Sequence, residues 1–506
     1  MVEHVIVQAG GLGSRMGKYT FNNPKCLVSL TGINILQSVN IGFPNARLYI
    51  IGDYKYDVLK SYLETIDHGI KYKLVKAEGN GTNAGLKKTA ELIPSNTPVA
   101  VSWSDLFYTK QLDIPADRKN YIVLSNVNEC RYKYENSQFI EKKSTSNGVI
   151  GLFVFKDKEI LEKVPNDGEF VKFLNDIKIT FEPLTDNNII EIGTSGKLED
   201  LIKNTFNARF FNKLEAKGDI VIKQARNEAF LERVTDEIEW YKYMVSHKYN
   251  RIPEILSYHP LTMKRVKGKH PFQVRANQTE KEAIIVNILR ALKDMHKVES
   301  VPSSNDALQD TYIEKTLRRI EPVTRLLNIR GGEIFYLNDK RITAISHRDS
   351  EIIINIVRKL RGVKTFHPIH GDPTFSNTLL DLNLQPIFID PRGYFGRLKI
   401  FGDIRYDFAK VYYSAIGDYD QLNLQNYVLR IDQNIIHLKI KSSGFKQTEC
   451  VFEQELANEM KDVRILHSLI WISLSGYLVN DINAMIASYF RGLGLLNELG
   501  NEYGLF

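Results

Sequence analysis

Residues 5–16 read Val5-Ile6-Val7-Gln8-Ala9-Gly10-Gly11-Leu12-Gly13-Ser14-Arg15-Met16, and Pro24-Lys25-Cys26-Leu27 follows shortly after. A short apolar run that stops at glycines predicts a buried strand running into a tight turn. Glycine has no Cβ and tolerates positive φ, so backbone N–H groups from Ala9 through Gly10, Gly11, Gly13 and Ser14 can come close to a polyphosphate. Arg15 and Lys25 supply cations beside them. The spacing is not G-x-G-x-x-G and there is no Walker lysine, so neither a dinucleotide fingerprint nor a P-loop is spelled here. A plain tight turn explains a lone glycine-rich loop about as well, and the offsets of Arg15-Met16 and Pro24-Lys25 carry the extra weight.

Outward from this turn, Val5–Gln8, Leu48–Ile51, Pro98–Ser102, Tyr121–Ser125 and Gly151–Phe155 read as buried strands separated by helical stretches. That alternation predicts an α/β domain over residues 1–206 with a doubly wound, parallel, Rossmann-like sheet. Helical periodicity over 198–211 then breaks, which puts a boundary near Asn207. An antiparallel pair is expected next: Ala208–Leu214, a turn at Lys217-Gly218-Asp219, and Ile220–Gln224. A helix at Glu232–Val245 and a strand near Leu261–Val266 follow, and from about Thr279 the pattern is mostly helical. Residues 207–506 therefore read as an α+β bilobal domain, with a small lobe over 207–268 and a large helical lobe over 269–506.

Composition bounds what such a chain does. With 506 residues it exceeds one core, since domains run to about 100–200 residues each. Its 43% hydrophobic and 25% charged residues are those of a globular protein, and a net charge of +7 suits anionic ligands without a basic, aromatic-interleaved block for nucleic acid. Cys26, Cys130 and Cys450 lie far apart, with no metal-like spacing, which fits free thiols in a reducing compartment. Cys26 reads as a neutral loop residue rather than a reactive one. The start lacks a basic segment followed by a long apolar run, and the apolar stretch from Ile465 to Val479 is shorter than the ~20 residues of a membrane span. A cytoplasmic protein with no membrane span is expected; its oligomeric state is left open.

A second stretch carries a different chemistry. His370-Gly371-Asp372-Pro373-Thr374-Phe375-Ser376-Asn377 is followed by the apolar run Pro386–Ile389 and Asp390. Phosphoryl transfer to an alcohol needs one carboxylate at the hydroxyl, and an Asn and an Asp to hold Mg²⁺ on the nucleotide. Asp372, Asn377 and Asp390 supply these types. His347-Arg348-Asp349 spells a similar triplet, but Asn355 is six positions on from Asp349 and Ser350–Leu360 has helical periodicity, so it reads as a surface helix start.

The first stretch resembles the opening motif of the sugar-phosphate nucleotidyltransferases, A-G-G-x-G-[ST]-R-[ML] followed by P-K-x-L. The resemblance implies a GT-A/Rossmann-like domain. It implies loop amides and Arg15 at the β- and γ-phosphates, Lys25 at the α-phosphate, Gly81 and Thr82 with Ala84-Gly85-Leu86 at the base, and Asp105 after Ser104 as a Mg²⁺ ligand. Ile190-Glu191-Ile192-Gly193-Thr194 looks like the family's W-x-D-I-G-T element. It has Glu191 where the second metal-binding aspartate stands, a departure that keeps the charge and moves the oxygen by one methylene.

The second stretch is similar to the H-G-D-x-x-x-x-N loop of the aminoglycoside phosphotransferase and choline kinase superfamily, a protein-kinase-like fold. Asp403 and Asp407 look like its downstream D-x-x-x-D-[LF]-A element and are read as supports for the loop. Lys223, at the end of Ile220-Val221-Ile222-Lys223, is like the family's ATP-phosphate lysine. Glu237 is its expected ion-pair partner, with Glu239 second. Met263-Lys264-Arg265-Val266 is the expected hinge at adenine. Two departures stand out: 207–213 is a poor glycine-rich loop, and Asp390 is followed by Pro391-Arg392-Gly393. His370 is expected to order the loop.

Together the resemblances imply a bifunctional enzyme with Mg²⁺ as cofactor. ATP phosphorylates a small alcohol, and an NTP, with CTP favoured, then yields a nucleotide-activated precursor for capsule or other surface polysaccharide. The alternatives are a choline or ethanolamine kinase joined to a phosphocholine cytidylyltransferase, a nucleotidyltransferase with a non-catalytic kinase-like domain, an antibiotic kinase, and a sugar-recycling enzyme. A choline cage needs several aromatic faces, for which Tyr394, Phe395, Tyr406, Tyr412, Tyr413 and Trp471 are available, although core packing accounts for them equally well. Arg392 argues against a cationic acceptor, so a neutral or acidic sugar or polyol is favoured.

Overall fold

The computed structural model describes residues 2–30, 32–185, 188–205, 212–225 and 231–504. Contacts divide the chain into one unit of Met1–Ile202 with Asn480–Asn483 and another of Lys203–Val479 with Ala484–Phe506. The boundary expected near Asn207 and the strand start at Ala208 lie outside the described residues.

The first unit is built on a nine-stranded sheet. His4–Gln8 lies at its centre and pairs in parallel with Arg47–Gly52 on one side and Val99–Trp103 on the other, and Tyr72–Lys76 extends the parallel set beyond Arg47–Gly52. Side chains such as Ile6, Val101, Phe153, Phe155, Phe170 and Phe181 close the core. Burying each contributes about 1.5–3 kcal/mol. The parallel, doubly wound core expected from the strand–helix alternation is present, and Gly148–Phe155 adds to it an antiparallel strand, pairing with both Val99–Trp103 and Tyr121–Ser125. All eight of its residues are buried. An apolar run reports burial on both faces and carries no information about strand direction. The register of this strand shifts between Val149 and Leu152, where Gly151 takes φ 102° and a Cβ would stand 2.1 Å from the Trp103 indole. The bulge lets Trp103 pack just ahead of Asp105.

In the second unit, Asn212–Lys217, Ile220–Ala225, Leu261–Lys264 and Ile255–Tyr258 form a four-stranded antiparallel sheet. Lys217 pairs with Ile220, leaving Gly218 and Asp219 as a two-residue turn with Gly218 at φ 59°. The helix Leu231–Ser246 follows. The rest is less helical than expected. Lys340–Thr343, Ile334–Leu337, Ile435–Ile440 and Tyr427–Asp432 form a second four-stranded sheet among the helices Gln278–His296, Lys315–Leu326, Ile404–Ala415 and Met460–Leu474. Ser350–Arg358 is a helix that starts at Asp349, whose Oδ2 accepts the Ser346 N–H at 2.6 Å, so His347-Arg348-Asp349 is a helix entry. No helix among the described residues is long and apolar enough to cross a membrane.

Candidate active sites

In the first unit the glycine-rich turn leaves the end of His4–Gln8, tied by the Ala9 N–H to Ile51 O at 2.8 Å. Gly13 takes φ 62° and caps a short helical stretch, Ser14–Thr20, so the turn needs a residue without a Cβ. Gly11, Ser14 and Arg15 are exposed, while Ala9 is buried. Lys25 is buried and its Nζ lies 2.8 Å from Asp105 Oδ2. The other oxygen, Asp105 Oδ1, is buried without a hydrogen-bond partner. Glu191 comes to the same place: a Cβ at Gly193 would stand 2.1 Å from Glu191 Oε1 and 3.4 Å from Asp105 Oδ2. Glu191 also accepts the Gly193 N–H at 2.9 Å and pairs with Lys197, a cation that the sequence motifs did not mark. An orphaned buried carboxylate oxygen beside a second carboxylate is an oxygen donor set suited to Mg²⁺.

Gly81 and Thr82 lie across from Gln8, whose side-chain N–H donates to Thr82 O. Thr82 Oγ1 accepts the Phe170 N–H at 2.7 Å, and Gly81, at φ 78°, faces the Gly168 carbonyl so closely that a Cβ would reach 2.3 Å from it. Cys26 is fully buried, and burial pushes its thiol up, in keeping with a neutral residue.

In the second unit, Lys223 on Ile220–Ala225 meets Glu237 on Leu231–Ser246, with Nζ 2.6 Å from Oε2, and Asp390, with Nζ 2.6 Å from Oδ1. Burial alone lowers a lysine, but Asp390 and Glu237 outweigh it and hold the ammonium above its ordinary value. Glu239, the second choice, pairs instead with Lys399. The loop His370–Asn377 is assembled around Asp407, which is fully buried. Its Oδ2 accepts the His370 N–H at 2.9 Å and the His296 Nε2–H at 3.1 Å, and its Oδ1 accepts the Gly371 N–H at 2.7 Å. Asn377 donates its amide to the Asp372 main-chain oxygen at 2.8 Å and to Asp372 Oδ2 at 2.9 Å. The hairpin Thr378–Leu380 with Pro386–Phe388 carries the chain from Asn377 to Asp390, and Ile389 N–H returns to Asn377 O at 2.9 Å. Asp390 takes φ 55°, a left-handed conformation that non-glycine residues adopt sparingly and that recurs where geometry is functional. His370 is buried, donates from Nε2 to Ile389 O at 3.1 Å and accepts the Asp372 N–H on Nδ1 at 3.2 Å, so it orders the loop.

Arg265 is exposed, and its N–H is already committed to Asp219 O at 2.8 Å. Of the residues offered for an aromatic cage, Phe395, Tyr412, Tyr413 and Trp471 are core, with Tyr413 and Trp471 packed edge-on at 4.9 Å. Of the poor glycine-rich loop, 207–211 lies outside the described residues.

Residues 201–432 match the phosphotransferase enzyme family (APH). Among solved structures, HddC from Yersinia pseudotuberculosis is 19% identical, with 40% of this chain and 99% of that one covered and a TM-score of 0.35. The inositol-1-phosphate CTP transferase from T. maritima is 15% identical over 40% and 96%, with a TM-score of 0.31. The CTP:phosphocholine cytidylyltransferase LicC from Streptococcus pneumoniae is 18% identical over 39% and 96%, with a TM-score of 0.31. The comparison with curated proteins found no match.

Proposed function

We propose that the chain is a bifunctional enzyme whose second unit phosphorylates a small alcohol with ATP and whose first unit joins the resulting phosphate monoester to a nucleotide. The observation that carries this reading is the convergence of Lys223, Glu237 and Asp390 with Asp372 and Asn377 inside the family-matched region. In the kinase step Asp372 accepts the hydroxyl proton as the acceptor oxygen attacks the γ-phosphorus, and the bond from that phosphorus to the β–γ bridging oxygen breaks, releasing ADP. Lys223, fixed by Glu237, neutralises the nucleotide phosphates. Asn377 and Asp390 are the residues to hold Mg²⁺, which when bound supplies positive charge to the phosphates.

In the transfer step the monoester oxygen attacks the α-phosphorus of an NTP and pyrophosphate leaves. Two anions must meet, so positioning and charge neutralisation do the catalysis and no protein nucleophile is needed. Arg15 and the amides of Gly10, Gly11, Gly13 and Ser14 take the β- and γ-phosphates, Lys25 the α-phosphate, and Asp105 with Glu191 are the residues to hold Mg²⁺. CTP is the favoured nucleotide, supported by the likeness of this small domain to the phosphocholine-type cytidylyltransferases in its sequence motifs. A product of this kind is a precursor for surface polysaccharide, made in the cytoplasm.

The test is mass spectrometry of the protein with ATP, Mg²⁺, the four NTPs and pooled sugars, polyols and amino-alcohols. A nucleotide-diphospho-alcohol that disappears in Asp372→Asn is the expected result. Products that form only from added phosphate monoesters would remove the kinase step.

A further inference from the structure

Beside Asp372 a group of cations gathers around Tyr406. Lys315 and Arg319 stand four positions apart on Lys315–Leu326 and so share a face of that helix, which is entered through a π-helical turn at Asp310–Glu314. Arg392 follows Asp390 by two residues and donates its N–H to His370 O at 2.9 Å. Lys410 comes from Ile404–Ala415 and pairs with Asp372 Oδ1 at 2.9 Å. Three of these cations surround one ring: Lys315 Nζ lies 5.0 Å, Lys410 Nζ 5.8 Å and the Arg392 guanidinium 5.9 Å from the centre of Tyr406. The Tyr406 hydroxyl is 3.5 Å from Lys315 Nζ and 3.2 Å from Arg392 Nη1. Arg392 also stacks on Tyr394 at 4.2 Å, and Arg319 on the exposed Tyr477 at 4.3 Å.

Among the described residues Lys315, Arg319 and Arg392 make no ion pair with a carboxylate, and aromatic faces return only about 0.5–2 kcal/mol per cation. Lys315 is buried, and burial together with Arg392, Arg319 and Lys410 drives its ammonium well below the ordinary lysine range; Asp310 opposes this and is outweighed. Like charges gathered in a partly desolvated place are costly unless something of opposite charge joins them. Lys223, paired with Glu237 and Asp390, is the cation for the nucleotide phosphates, which leaves this cluster for the acceptor.

We propose that the phosphoryl acceptor is an anion, a polyhydroxy compound bearing a phosphate or carboxylate group that Lys315, Arg319 and Arg392 hold while a hydroxyl is presented to Asp372. This rests on the kinase reading of the second unit. The acceptor's own anionic group neutralises the cluster, and its distance from the reacting hydroxyl sets which position is phosphorylated. Choline, ethanolamine and polycationic antibiotics are excluded by the same charges.

The experiment is titration calorimetry of the full chain, saturated with Mg²⁺ and ADP, against three probes of matched skeleton: sorbitol, gluconate and sorbitol 6-phosphate. At least one anion should bind and sorbitol should not, and the tighter of the two anions identifies the group recognised. Arg319→Gln and Lys315→Met should each weaken that binding on the order of tenfold or more, as loss of a charged hydrogen bond implies. Arg319 is half-buried and near the surface, so its variant keeps the test valid if Lys315→Met fails to fold. The proposal is overturned if neither anion binds, if sorbitol binds equally well, or if anion binding is unchanged in Arg319→Gln. Transfer from γ-labelled ATP separates the two ideas. Transfer to sorbitol without anion binding keeps the kinase and removes the anionic acceptor. Arg319-dependent anion binding, with no transfer to any probe and no effect of Asp372→Asn on ADP release, keeps the pocket and removes the kinase.

Discussion

Replacing Asp407 by Asn tests whether one buried carboxylate holds the catalytic loop. The carboxylate accepts three hydrogen bonds, two on Oδ2 from the His370 N–H and His296 Nε2–H and one on Oδ1 from the Gly371 N–H. An Asn amide can place its oxygen at only one of these positions. With the oxygen toward His370 and His296, its NH₂ faces the Gly371 N–H, donor against donor. The substitution then loses a charge-assisted bond, at about 1.5–3 kcal/mol, and strands a buried N–H, at about 1–3 kcal/mol. The total is about 2.5–6 kcal/mol, or about 4–10 °C in the melting of a unit this size. Relief of the clash moves Gly371 and Asp372, and a displacement on the order of 1 Å costs about 10²-fold in rate. Calorimetric melting and ADP release measure the two effects. A melting change under about 2 °C together with an unaltered rate of ADP release would refute the reasoning, because Asp407 would then be dispensable to the loop.

Lys223→Met removes the cation between Glu237 and Asp390; ATP-dependent transfer should fall about 10²–10³-fold, and breaking the buried pair should destabilise the second unit by about 3–5 kcal/mol. Asp105→Asn should abolish pyrophosphate release while leaving ADP release intact, and parallel loss of both activities would count against two separate sites. Asp420, buried and accepting the Ser376 N–H at 3.0 Å, is pushed up by burial from 3.8 to about 6. A carboxyl whose folded pKa is raised stabilises the fold below about pH 4, and that contribution is lost as pH rises through about 6. Asp420→Asn should therefore gain about 3 kcal/mol on the parent chain between pH 4 and pH 7, followed by chemical denaturation at both pH values. A difference independent of pH would show that folding does not raise the Asp420 carboxyl.

The parts of the sites legible in the sequence are those where backbone geometry or local spacing dictates the residue. Gly13 with its positive φ, Lys25 near Asp105, and the Asp372–Asn377 loop with Asp390 after an apolar run all belong to this class. Lys223 and Glu237 were legible because a strand and the next helix give a short list of partners. Strand direction was not, since Gly148–Phe155 is apolar on both faces whichever way it runs. Tyr427–Asp432 and Ile435–Ile440 do alternate buried and exposed residues, a strand signal that the surrounding helical periodicity obscured. The cation cluster was illegible: Lys315 and Arg319 look like any solvated helix face, and only packing against residues about 75–95 positions away turns them inward.

The hydrogen bonds of His370 fix its tautomer. Because Nδ1 accepts the Asp372 N–H, the proton must reside on Nε2, where it is donated to Ile389 O. Burial lowers this imidazole's affinity for a second proton, and taking one up would also break the bond to Asp372. The loop therefore keeps its shape through mild acidification, and the only histidine in the catalytic sequence is silent in a pH–rate profile.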